Sequence, residues 1–125
     1  MVVSLMLAAA LAQTPAPAKP ADVTLMKAGL GGSCSADFTV KGPDDKPIYA
    51  AMVHVKVRYG FAGVKRADLE VGTSSEGKAR IEGLPDKARP MTYDIRKKDG
   101  DVEKTSEVTQ DVSDTCHATF EVVLR

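Results

Sequence analysis

Tryptophan is absent from this 125-residue chain, histidine and cysteine occur twice each, and aromatic residues make up 5%. So few flat rings leave little with which to build a glycan-stacking or large-ligand face. Net charge is missing too: 17 Lys and Arg stand against 17 Asp and Glu, with no basic block. The long-range attraction that drives binding to nucleic acid or an anionic membrane is therefore lacking, and both are set aside as partners.

Catalytic and metal-binding patterns are equally scarce. No Cys-x-x-C motif offers redox chemistry. None of Ser33, Ser35, Ser74, Ser75, Ser106 or Ser113 lies in Gly-x-Ser-x-Gly, so serine reads as turn material. His54 and His117 fall on the polar parity of two predicted strands without His-x-His or His-x-x-x-His spacing. They would form a metal site only if their strands brought them together with a carboxylate such as Asp37, Asp114 or Glu121. Asp44-Asp45 and Asp99-Gly100-Asp101 do not continue into a calcium loop, and Gly31-Gly32 lacks a phosphate-loop motif. The sequence predicts no catalytic residue, no metal and no cofactor.

What is present begins with an uncharged apolar run from Met1 to Ala12 ending in Ala10-Leu11-Ala12. This reads as a secretory signal peptide over 1–12, cleaved before Gln13, and is shorter than the roughly 20 apolar residues of a spanning helix. No membrane insertion is expected after cleavage. Residues 13–21 follow as a linker, where Pro15, Pro17 and Pro20 fix φ and remove amide donors, favouring extended polyproline II. The remaining 22–125 are expected to fold as one domain, placed by the signal in the periplasm or outside the cell.

Within that domain apolar residues recur at every second position, the period of a strand with one buried face. Cys34, Ala36, Phe38 and Val40 share a parity; so do Ala51, Val53, Val55, Val57 and Tyr59, with Met52, His54, Lys56 and Arg58 opposite. The pattern returns at Ala67, Leu69 and Val71, at Ala79 and Ile81, at Met91, Tyr93 and Ile95, and from Cys116 to Leu124. Val23–Lys27 and Val102–Val112 are weaker runs. Turn residues separate them, with Lys98-Asp99-Gly100-Asp101 predicting a hairpin whose Asp-Gly pair suits a type I′ turn. The expected fold is all-β: an antiparallel, immunoglobulin-like or transthyretin-like sandwich of about seven strands.

Cys34 and Cys116 each open a predicted strand on its apolar parity. Export favours an oxidised pair, so a disulfide between them is expected.

Three segments carry a resemblance. Gly42-Pro43, Lys46-Pro47 and Ala50-Ala51-Met52-Val53 give a turn and small residues before a Val-rich strand. Thr73, Gly77, Ala79, Ile81, Gly83, Leu84 and Pro85 give a turn, a short alternating strand and a closed corner. Tyr93 and Gly100 mark a Tyr-containing strand that ends at a glycine turn. Together they resemble the carboxypeptidase regulatory-like, transthyretin-like group of β-sandwich domains, over about half of the chain. The resemblance implies an accessory, adhesive or scaffold module of an exported protein. One transthyretin-like branch consists of hydrolases that use His and Arg and end in Tyr-Arg-Gly-Ser, whereas this chain ends Val122-Val123-Leu124-Arg125.

The candidate interaction surface is the glycine-rich connection from Tyr59 to Arg66. As a binding loop, Phe61 would anchor a partner while Tyr59, Lys65 and Arg66 supply polar contacts; as structure, Phe61 would cap the open end of the sandwich. The sequence thus predicts a non-enzymatic module contacting another envelope or extracellular protein, with a small-ligand or glycan binder as the alternative.

Overall fold

The computed structural model describes residues 23–125, so the signal-peptide and linker readings lie outside the described residues. Among the described residues eight strands follow one another: β1 (Thr24–Lys27), β2 (Cys34–Lys41), β3 (Met52–Tyr59), β4 (Lys65–Gly72), β5 (Lys78–Leu84), β6 (Met91–Asp99), β7 (Val102–Gln110) and β8 (His117–Val123). They form two four-stranded sheets, ordered β1-β5-β2-β8 and β4-β3-β6-β7. Both weak runs, at the first strand and at β7, are strands. Among the described residues no helix is long and apolar enough to cross a membrane.

The second sheet is antiparallel throughout, as expected: β3–β4 and β6–β7 are consecutive strands that fold back on each other, and β3 meets β6 antiparallel across a longer connection. The first is mixed: β1 runs parallel to β5, and β2 parallel to β8. Alternation fixes which face of a strand is buried but carries no information on which distant strand lies beside it.

Alternation becomes burial in both sheets. Cys34, Ala36, Phe38 and Val40 meet Val53, Val55, Val57, Tyr93 and Ile95 in one core, all at most 1% exposed. Phe38 and Phe120 stack with ring centroids 5.4 Å apart, and Tyr93 of the opposite sheet meets Phe38 edge-on at 4.8 Å. Each fully buried aliphatic side chain of this kind contributes about 1.5–3 kcal/mol.

Tyr93 carries the core's polar exception. Its hydroxyl donates to Gln110 Oε1 at 2.6 Å, and Gln110 Nε2 donates to the carbonyls of Thr115 at 2.8 Å and Ser35 at 3.2 Å. Burial pushes the phenol's pKa upward. A buried amide thereby ties the end of the second sheet to the first with its hydrogen bonds made.

Beside that network Cys34 and Cys116 form the expected disulfide, with Cα atoms 4.6 Å apart. Cys34 opens β2, but Cys116 precedes β8, which starts at His117. Closing a loop of 82 residues stabilises by about 4.5 kcal/mol on the chain-entropy account.

The stretch from Thr73 to Pro85 holds one end of the sandwich. Buried Thr73 donates its hydroxyl to the Ile48 carbonyl at 2.6 Å and accepts from Ala51 N–H at 2.9 Å. Gly77 adopts φ +73°, and a Cβ there would collide with the Val40 carbonyl oxygen. The motif clamps the 42–51 connection against β2. At the β6–β7 hairpin Asp99 pairs with Val102, which leaves Gly100-Asp101 as the turn centre. Of these two only Gly100 has positive φ, at +64°, so the turn is not the expected type I′, which needs positive φ at both central residues.

Candidate functional site

The candidate loop grows from the β3–β4 hairpin. Register brings Tyr59 opposite Lys65 and Arg58 opposite Arg66. Between them Gly60 (φ +79°), Ala62 (φ +57°) and Gly63 (φ +66°) curl residues Phe61–Gly63 into a single 3-10 turn. Gly63 N–H donates to the Gly60 carbonyl at 3.1 Å, and Val64 N–H to that of Phe61 at 3.3 Å. Ala62 holds a left-handed conformation that glycine would adopt at lower cost.

This curl turns apolar side chains outward. Phe61 is 93% exposed and Val64 70%. The alternative in which Phe61 caps the sandwich is thus overturned: Gly63 is the buried residue of the turn, and Phe61 points away from the core. Tyr59 does the opposite, half-buried against the core. Lys65 and Arg66 are exposed beside the loop.

A second connection completes the site. Tyr59 forms an isolated bridge with Ala88, and Arg89 N–H donates to the Arg58 carbonyl at 3.0 Å, docking residues 85–90 alongside β3. The two loops enclose a cleft of about 290 Å³ lined by Arg58, Lys87 and Arg89 together with the glycine turn, and no carboxylate lines it. The Arg89 side chain lies over Gly63, where a Cβ would fall 2.8 Å from Nε. Arg58, Lys87, Arg89 and Val64 are the members that sequence reasoning did not single out. The Arg58–Arg66 pairing was accessible from the hairpin; the arrival of 87–89 was not, because it rests on a tertiary bridge.

The other candidate groups disperse. His54 lies on the outer face of the second sheet, its Nε2 2.5 Å from Asp68 Oδ1. His117 lies on the first sheet with Nδ1 2.8 Å from Ser35 Oγ. The conditional two-histidine metal site therefore does not assemble. Asp37 is held by Arg80 at 2.7 Å. Among the described residues one trio of metal-type groups gathers, Cys34, Asp86 and Cys116; its two sulfurs are joined in the disulfide. Asp86 accepts from Ser33 N–H at 2.8 Å and from its hydroxyl at 3.1 Å, which holds the carboxyl below the usual aspartate range.

These features define a two-sheet β-sandwich domain with an interior cystine and an apolar, cation-flanked loop end. No protein-family model and no curated protein matches the chain. Among solved structures it is similar to catechol 1,2-dioxygenase from Acinetobacter sp. ADP1, at 13% identity and a TM-score of 0.51, over 82% of this chain and 57% of that one. It is similar to the SpaB basal pilin from Lactobacillus rhamnosus GG at 11% identity and a TM-score of 0.50, over 77% of this chain and 98% of the pilin. A second catechol 1,2-dioxygenase, from Pseudomonas arvilla C-1, gives 11% identity and a TM-score of 0.50, over 86% of this chain and 59% of the enzyme. The chain thus spans a little over half the length of both dioxygenases. At such identities the likeness is one of fold.

Proposed function

We propose that this chain is a non-enzymatic, exported β-sandwich module that works through protein contact at the Tyr59–Arg66 loop, within the transthyretin-like group its motifs resemble. The fold itself does not choose this role, since the same sandwich occurs in a basal pilin and within dioxygenases. The surface favours it. The chain has three phenylalanines; Phe38 and Phe120 pack in the core region, while Phe61 stands 93% exposed. A large apolar side chain held in water on a loop with left-handed backbone is the arrangement of an interface anchor. The disulfide agrees with an oxidising periplasmic or extracellular setting.

The test is affinity capture from the native envelope with mature wild-type protein and with Phe61→Ala. Wild type should retain a specific partner and the variant should lose it. Identical capture by both would remove the loop from the function. Tyr59, half-buried, is a support for the loop in this reading, and Phe61 with Val64 supplies the contact.

A further inference from the structure

We propose that the cleft between the 59–63 and 87–89 loops binds carboxylate side chains of an acidic protein segment, with Phe61 and Val64 covering that segment's apolar neighbours. This deepens the interaction reading and rests on it.

Charge placement carries the inference. The chain as a whole is neutral, yet Arg58, Lys65, Arg66, Lys87 and Arg89 gather around one loop end. Arg58 and Arg66 lie directly opposite each other on adjacent strands, a like-charge placement that costs some stability. No ion pair joins any of these cations to a carboxylate among the described residues. Three other surface clefts each mix the two signs. Asp44 and Asp99 accompany lysines at the far end, Asp94 accompanies Lys56 and Arg96, and Asp68 accompanies Lys56, Arg66 and the outer side of Arg58. The cleft beside Phe61 has cations alone. Asp86, which lies next to Lys87 in the chain, is instead held by Ser33.

Ligand chemistry follows from these groups. Guanidinium forks at Arg58 and Arg89 suit the two oxygens of a carboxylate, and the glycine turn lets a chain approach closely. The volume suits one or two side chains and not an extended surface. Zero net charge also denies the molecule the long-range attraction that an anionic bilayer requires. A protein segment with alternating acidic and apolar residues is the occupant that uses both the cations and Phe61.

The experiment uses fluorescence anisotropy with the mature protein. The probe is a labelled peptide of alternating aspartate, glutamate and leucine; its asparagine and glutamine counterpart and vesicles of phosphatidylcholine with phosphatidylserine are measured beside it. The acidic peptide should bind, weaken as salt is added, and weaken about tenfold or more in the Arg58→Gln/Arg89→Gln double variant. The amide peptide should not bind. A Lys56→Gln/Arg96→Gln variant, with the same charge removed from the outer sheet face, should bind as wild type does. Both pairs are exposed, and circular dichroism checks that the variants are folded. Equal binding of the amide peptide, an unaffected arginine variant, no binding of the acidic peptide, or preferential binding to vesicles would each overturn the proposal. Loss of envelope capture in Phe61→Ala, with no binding of the acidic peptide, would leave the interaction loop standing and remove the acidic specificity alone.

Discussion

Phe38 and Phe61 are the same side chain in opposite surroundings, and their substitution should separate stability from binding. Phe38→Ala removes a ring packed against Phe120 and Tyr93 and should cost about 3–5 kcal/mol in denaturant unfolding. Phe61→Ala should change stability by no more than about 0.5 kcal/mol, because the ring is 93% exposed. Asp86 gives a pH signature. Its folded pKa lies below the ordinary value because Ser33 N–H, then the Ser33 hydroxyl, favours the carboxylate. As pH falls below about 4, the unfolded state binds a proton more readily than the folded state. The stabilisation is therefore complete above that range and fades as pH descends through the lower folded value. Asp86→Asn should flatten this part of the melting temperature against pH. A variant with the wild-type acid slope would show that Ser33 contributes nothing there.

At the scale of elements, the alternating apolar residues made β2, β3, β4, β5, β6 and β8 legible, because a one-residue shift would bring charge into the core. The Asp99-Gly100 hairpin was legible in place but not in type, since the strands pair one residue further than the dipeptide suggests. The Thr73–Pro85 motif is legible in sequence as a turn and a strand; the structure gives it a partner. Thr73 holds the Ile48 carbonyl and the Ala51 amide, and Gly77 admits the Val40 carbonyl. Thr73→Val should cost about 1–3 kcal/mol by orphaning those groups. Gly77→Ala should cost about 2 kcal/mol or more, as positive φ and a backbone collision act together. Chemical denaturation measures both, and tolerance of alanine at Gly77 would contradict the described turn. In the loop, Arg66 falls inside the glycine-rich segment and Arg58 on the strand before it, although pairing places them together.

For the molecule as a whole, the disulfide and the Tyr93–Gln110 network sit side by side where the two sheets meet. Reduction should lower stability by about 2–5 kcal/mol, read as a fall in melting temperature, and native protein should resist thiol labelling at Cys34 and Cys116 until reduced. An oxidised protein that melts where the reduced one does would mean that the closed loop adds no stability. The all-β class, the buried faces, the turn positions and the cysteine pairing are legible in the chain alone, because each depends on local period, backbone freedom or the count of two thiols. Tertiary structure alone decided the parallel placement of β1 beside β5 and β2 beside β8. It separated His54 from His117 by placing them on different sheets. It also brought Lys87 and Arg89 to Arg58 through the Tyr59–Ala88 bridge. Such neighbours are remote in the chain, so no local pattern encodes them; they follow from which sheets and loops pack together once the core closes.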